Sequence, residues 1–371
     1  MSPRAALLAN LALLGFLGVC GWLHYSKPLL YYTSLQEDGA IEWASFWSFL
    51  LAAIVFVASA RGQRQTTEAS PWFLVGIGLF CFLVAMEEIS WAQRVLGYQP
   101  PEYFLAENYQ QEINVHNIAG RALRVWTFRA IVFGYGVLLP LLGLSAPARR
   151  PLERIGILIP AIELAPSMFA IFWLHLHYPW KFTGEITECA LGFAFLWIAI
   201  AAGARIAAQA RATELRAAWL PLLAVLLGVA TARVSEQRGT DDPGLIAMAE
   251  TETRALAADL LTPSGEDEAE PITRCGLHKR LYTFVETRKR GRPLADGEFA
   301  ALVDEGLPEE RARYYLDPWN TPYWVRDRCD ERESRRVVSV YSFGPNRRRD
   351  SSRWEILGDD IGFYVVRRRG P

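Results

Sequence analysis

The residues in this chain best suited to chemistry are glutamates and histidines at the ends of apolar stretches. Glu87 and Glu88 stand together in Glu87-Glu88-Ile89-Ser90-Trp91-Ala92-Gln93-Arg94, and His116 follows in Asn114-Val115-His116-Asn117. His175 and His177 close a later apolar run, and Glu185 and Glu188 open the next. Histidine with glutamate is ligand chemistry for zinc or iron, and an open coordination position on such an ion would activate water. The candidate transition-metal set is therefore His116, His175, His177, Glu185 and Glu188, with Glu87, Glu88 and Arg94 as candidate catalytic groups. If the helix carrying Glu87 continues past Glu88, then Glu87, Ser90, Trp91 and Arg94 share one face. Adjacent carboxylates then point about 100° apart, one to the bundle and one to the loop. Against a metal, His175-x-His177 puts two rings on different helix faces, and no His-Glu-x-x-His motif is present. An acid at a span end is also tolerated when it is merely interfacial. Glu163 is the remaining catalytic candidate. It lies mid-run in Pro160-Ala161-Ile162-Glu163-Leu164-Ala165-Pro166, where a lone carboxylate must be neutral, paired with a group such as Arg129, or set in a polar cavity.

The elements that must position these groups are membrane spans. The chain has 371 residues, 51% of them hydrophobic, with 13 Trp. Its mean hydropathy of +0.09 is what an apolar half averaged with a charged half produces. We read seven spans: Ala5–Tyr25, Ile41–Ala60, Trp72–Trp91, Ala130–Ser145, Ile155–His175, Thr187–Ala204 and Ala217–Val234. The first is read as a retained anchor, because Gly21-Trp22-Leu23-His24-Tyr25 offers no small-residue cleavage site. A purely soluble enzyme is excluded, and a net charge of -1 argues against a nucleic-acid partner.

Short basic loops set the orientation. Arg4, Arg61, Arg64, Arg149, Arg150, Arg154, Arg205, Arg211 and Arg216 all fall on one side, while Glu37, Asp38, Glu102, Glu107 and Glu112 fall on the other. Arg94, Arg121, Arg124 and Arg129 are exceptions. The N-terminus is thus expected in the cytoplasm and the C-terminal half in the bacterial periplasm. Glu87, Glu88, His116, His175, His177, Glu185 and Glu188, with His24, then share the outer boundary. Cys275 and Cys329 are the two cysteines of the exported half, and an oxidising compartment suits a disulfide between them; two unpaired thiols are the alternative.

The expected domains are a seven-span body at 1–234, a linker and helix at 235–272, and an exported α+β domain at 273–371. Leu245 to Leu261 has helical spacing, an acidic patch runs from Glu266 to Glu270, and a second helix is expected from about Thr273 to Thr287. Val337 to Tyr341 and Gly362 to Val366 are expected strands. In the last hundred residues, Leu316-Asp317-Pro318-Trp319-Asn320-Thr321-Pro322-Tyr323, Tyr341-Ser342-Phe343-Gly344-Pro345-Asn346 and Gly358-Asp359-Asp360-Ile361 stand in order. They resemble the C-terminal domain of the major pseudopilin of type II secretion systems. That family has Gly where Asn320 stands, and Asp-Gly in place of Asn346-Arg347. The resemblance implies a pilin-like sheet domain, envelope or secretion-related protein partners, and calcium in the loop before the last strand. Asp350, Ser351, Ser352, Asp359 and Asp360 offer the oxygens that calcium takes. Arg347, Arg348, Arg349 and Arg353 in the same loop offer an alternative, an ion-paired and solvated loop.

The block from Glu87 to Arg94, followed by Pro100-Pro101-Glu102-Tyr103-Phe104 and Asn114 to Asn117, resembles a family of uncharacterised bacterial integral membrane proteins, and implies no activity. Two functions follow as expectations. One is an anchor presenting a pseudopilin-like domain to periplasmic partners. The other is an intramembrane metal-dependent hydrolase acting on lipid-like substrates at the outer leaflet.

Overall fold

A computed structural model describes residues 3–66, 70–209, 217–237, 242–261, 273–288, 297–330, 332 and 335–368. Arg211, Arg216 and the acidic patch Glu266 to Glu270 lie outside these residues, as does most of the segment joining α8 to the sheet. The chain divides into two compact units, Met1–Ala92 with Asn114–Arg233, and Gln93–Ile113 with Val234–Pro371.

The first unit is helical. Its main elements are α1 (Pro3–Ser26), α2 (Ala40–Thr66), α3 (Trp72–Glu88), α4 (Arg121–Leu142), α5 (Ala165–His177), α6 (Thr183–Gln209) and α7 (Leu220–Gln237). Among the described residues, five helical stretches are long and apolar enough to cross a membrane: Arg4–Ser26, Ala40–Arg64, Arg121–Leu142, Thr183–Ala208 and Ala217–Ser235. The coarse reading is a mostly helical membrane protein with a small C-terminal sheet. In α1 the buried residues Ala6, Ala9, Leu13, Leu17 and Cys20 recur at helical spacing, while Leu7, Leu8, Leu11 and Leu14 face outward. An outward face of leucine suits lipid, since hydrocarbon chains are as apolar as leucine itself. Helix α6 is the centre of the unit: Ala190, Ala194, Leu196 and Ala199 have no exposed surface, and α2 and α1 pack on it. Close approach needs small residues, as where an added Cβ on Gly228 of α7 would lie 2.8 Å from the Ala44 backbone.

Two expected spans have a different form. Trp72–Trp91 stops being α-helical at Glu88, because Ser90, Trp91 and Ala92 take φ of 45°, 56° and 64° and turn the chain. Ile155–His175 is not one helix. Gly156 takes φ 83°, residues 157–161 carry no regular structure, Ile162–Leu164 form a 3-10 turn, and only Ala165–His177 is α-helical. Pro160 and Pro166 lack the N–H groups that a continuous helix would use. The 13 residues of α5 extend about 20 Å, too short to cross alone.

The second unit is a four-stranded antiparallel sheet in the order β1-β2-β3-β4, with β1 His278–Arg280, β2 Trp324–Asp330, β3 Arg335–Ser342 and β4 Ile361–Arg368. Helix α8 (Pro243–Leu261) packs on β3 and β4. Leu256, Leu260, Leu281, Phe284, Phe299, Tyr323, Val325 and Val340 form the core. The expected helix from Thr273 to Thr287 begins only at Leu281, as α9 (Leu281–Arg288). Ahead of it the chain is held to β2: the Gly276 N–H donates to the Asp327 carbonyl at 3.0 Å and the Asp327 N–H to the Leu277 carbonyl at 2.9 Å, and Cys275 is disulfide-bonded to Cys329 at a Cα separation of 5.5 Å.

Residues Gln93–Ile113, expected as a loop of the membrane body, fold with this sheet unit. Leu105 is fully buried against Tyr314 and Leu316, Gln111 Nε2 donates to the Tyr314 carbonyl at 2.9 Å, and Arg280 Nη1 donates to the Tyr109 carbonyl at 3.1 Å. Glu102 accepts from Arg313 at 2.6 Å and from the Tyr314 hydroxyl at 3.0 Å.

Candidate functional site

The turn after α3 carries a heavily bonded acid, Glu87. Glu87 Oε1 accepts the Trp91 indole N–H at 2.8 Å, which the left-handed run Ser90–Ala92 makes possible by folding the chain back. Glu87 Oε2 accepts the backbone N–H groups of Val115 at 2.6 Å and His116 at 2.9 Å, and lies 3.2 Å from His116 Nδ1. The side chain of Glu87 is 17% exposed and that of His116 48%. Beside this pair, Asn114 Nδ2 donates to Ser90 Oγ at 3.4 Å, and Arg124 Nη1 to Asn117 Oδ1 at 2.8 Å. With the carboxylate on Nδ1, the neutral His116 ring carries its proton there, leaving Nε2 as the basic nitrogen.

The first unit holds a second group of acids. Glu88, one residue on from Glu87, is within electrostatic reach of Glu185 and Glu188 at the start of α6, with Ser45 of α2 beside it. Glu188 is in the same way near His116 and Arg124.

The other sequence candidates are placed apart. His175 stacks on Phe128 with ring centroids 4.2 Å apart, and His177 Nδ1 lies 2.9 Å from the Trp173 carbonyl of its own helix. His24 sits among Tyr25, Tyr31 and Trp180. Glu163 stands in the 3-10 turn ahead of α5 with its side chain exposed, and its carbonyl accepts from Asn10 Nδ2 at 2.6 Å. It is thus not the mid-helix acid that the apolar run implied, because the helix there is broken. Arg94 falls in the short helix Gln93–Leu96, past the turn, so it does not continue the Glu87 face; its side chain is outside the described residues. Among the described residues, no group of three or more His, Cys, Asp or Glu side chains is arranged to hold a metal ion.

In the second unit, the loop expected to offer calcium ligands uses them on its own backbone. Asp350 Oδ2 accepts from Asn346 Nδ2 at 2.9 Å and from the Asp359 N–H at 3.0 Å. Asp360 accepts the Asp350 and Ser351 N–H groups at 3.2 and 2.8 Å, and Ser352 Oγ accepts those of Trp354 and Glu355 at 3.2 and 3.0 Å. Burial pushes the Asp360 carboxyl up to about 6. Asp317 is similarly enclosed, taking the N–H groups of Trp319 and Thr321 at 3.0 and 2.8 Å, and burial raises its carboxyl above the ordinary range.

Trp91, Asn114 and Asn117 stand in the two blocks the sequence singled out, whereas Ser45 and Arg124 were missed as parts of the polar cluster. Arg124 follows the second block by a few residues, and Ser45, on α2, gave no signal. No family model, no curated protein and no solved structure matches this chain.

Proposed function

We propose that this is a bacterial inner-membrane protein whose seven-span body presents a pseudopilin-like domain in the periplasm, for envelope or secretion-related binding or assembly. The observation that carries the reading is the composition of the second unit. It takes residues 93–113 from between two membrane helices as well as the C-terminal half, so three chain crossings join it to the first unit. Glu87 and His116 sit at the two ends of that excursion, which gives their bonding a structural purpose. Support for the pilin-like character comes from the backbone: Asn320 and Arg347, the two positions where the resembling family has glycine, take φ of 61° and 56°. The disulfide suits an oxidising compartment. The test is a phosphatase reporter fused after Pro371 together with deletion of Thr273 to Pro371. Periplasmic activity and loss of function in the deletion are expected; a reporter active only in the cytoplasm overturns the reading.

The grouping of Glu88, Glu185 and Glu188 near His116 favours a second reading, hydrolysis of a lipid-like substrate at the outer leaflet with zinc or iron. Elemental analysis of the detergent-purified protein decides it. Stoichiometric zinc or iron that is lost in His116→Ala would put this reading first, and its absence removes it.

A further inference from the structure

One face of the sheet in the second unit is lined by hydrogen-bond donors. Arg326 on β2 and Ser339 on β3 are register partners, so their side chains stand side by side on the same face. Both residues are 0% exposed. Arg326 donates through Nη1 to the Ser352 carbonyl and lays its guanidinium 4.8 Å from the centre of the Tyr341 ring. Among the described residues its Nε and Nη2 atoms have no partner, and neither has Ser339 Oγ. Two residues along β2 in either direction, the indole nitrogen of Trp324 and Nε of Arg328 are likewise buried with no partner among the described residues.

The charge around these atoms is positive. Arg349 lies within electrostatic reach of Arg326, and Arg349 and Arg353 lie within reach of Arg328. Asp360 is near Arg326, but its carboxylate oxygens accept the backbone N–H groups of Asp350 and Ser351. Asp327, also on β2, projects to the other side of the sheet and pairs with Arg336 at 2.7 Å. A buried guanidinium is ordinarily matched by an anion, and buried donors are ordinarily satisfied. Here the chain itself supplies a carbonyl and an aromatic ring.

We propose that this face is a binding site for a tetrahedral oxyanion of the phosphate class. Arg326 Nε and Nη2 form the two-pronged donor that suits such an oxygen pair, Ser339 Oγ adds a third donor, and Arg328, Arg349 and Arg353 supply the surrounding field. The irregular loop 346–360 meets the face through Ser352, and the anion enters there. The phosphate is either a free ion or monoester, or the headgroup of a lipid. The site is separate from the Glu87–His116 cluster and does not depend on it.

The test is binding of radiolabelled inorganic phosphate to the full-length protein in detergent, with the disulfide intact and chloride as the control anion. Saturable binding is expected. Arg326→Lys, which keeps the charge and loses the fork, is expected to weaken it by about tenfold or more. Ser339→Ala, a change small enough to leave the sheet folded, is expected to weaken it about fivefold. Competition by phosphatidic acid in mixed micelles, but not by phosphatidylcholine, assigns the site to a lipid headgroup. Competition only by soluble phosphomonoesters assigns it to a free phosphate. Absence of saturable binding in the parent protein, or unchanged binding in folded Ser339→Ala, overturns the proposal.

Discussion

Glu87 Oε2 accepts the backbone N–H of His116 at 2.9 Å and lies 3.2 Å from Nδ1 of the same residue, so one carboxylate fixes both the main chain and the ring of its partner. Together with the Val115 N–H and the Trp91 indole, it ties the turn after α3 to the chain that returns from the sheet unit. Glu87→Gln keeps the size and removes the charge. It is expected to cost about 1.5–3 kcal/mol, the range for hydrogen bonds to a charged group. It is also expected to release the His116 tautomer. A thermal melt in detergent and nitrogen NMR of labelled histidine check the two parts, and an unchanged ring spectrum would mean that the carboxylate does not orient His116.

Leu105 is the apolar anchor of the 93–113 excursion. It is fully buried against Tyr314 and Leu316. Leu105→Ala is expected to destabilise the second unit by about 2–5 kcal/mol, the range for a buried leucine cut back to alanine. Hydrogen exchange of peptides covering 102–107 and 309–316 is the measurement. Faster exchange in both together is expected, since each covers the other.

The Cys275–Cys329 disulfide closes a loop with a sequence separation of 54 and holds β1 to β2. Replacing both cysteines by serine is expected to lower stability by about 2–4 kcal/mol. The loss should be concentrated in β1, which is only three residues long and lies at the edge of the sheet. Amide exchange at 276–280 reads it directly, and protection equal to that of the parent would show that main-chain pairing alone holds β1.

Asp360 gives the second unit a pH dependence. Burial raises its carboxyl to about 6 despite the two backbone N–H groups that favour the charge. The unfolded chain holds this group at about 3.9, so the folded state binds the proton more tightly. Its contribution to stability is therefore fully present below about pH 4, is lost between about pH 4 and pH 6, and changes no further above that. The unfolding free energy of the second unit, read from denaturant melts at a series of pH values, is expected to fall across that window, and Asp360→Asn should flatten the profile.

Much of the architecture was legible from residue type and spacing alone. Among the described residues five of the long apolar runs are helices throughout, Leu245 to Leu261 lies within α8, and Val337 to Tyr341 and Gly362 to Val366 lie within β3 and β4. In these segments hydrophobic period or β-branched content agrees with the final structure. β2 was not legible, since Arg326-Asp327-Arg328 reads as solvent-facing charge. Arg326 and Asp327 are buried because Arg326 lies over Tyr341 and Asp327 pairs with Arg336, both on the neighbouring strand β3, and strand pairing is not recorded in local residue type. The break in Ile155–His175 was hidden by composition, as hydropathy averages over Gly156 and Pro160 while the backbone does not.

The candidate site divides along the same line. The blocks Glu87–Arg94 and Asn114–Asn117 by themselves marked Glu87, Glu88 and His116 as candidates and the apolar runs beside them as helices, because residue type and local period are properties of short segments. Tertiary structure alone decided that Glu87 grips His116 while Glu88 comes within electrostatic reach of Glu185 and Glu188, and that His175 and His177 have other partners. It also decided that residues 93–113 between the two blocks belong to the sheet unit, since the burial of Leu105 depends on Tyr314 and Leu316, more than two hundred residues away. Such pairings are set by which surfaces exclude water together, and one-dimensional spacing carries no record of that.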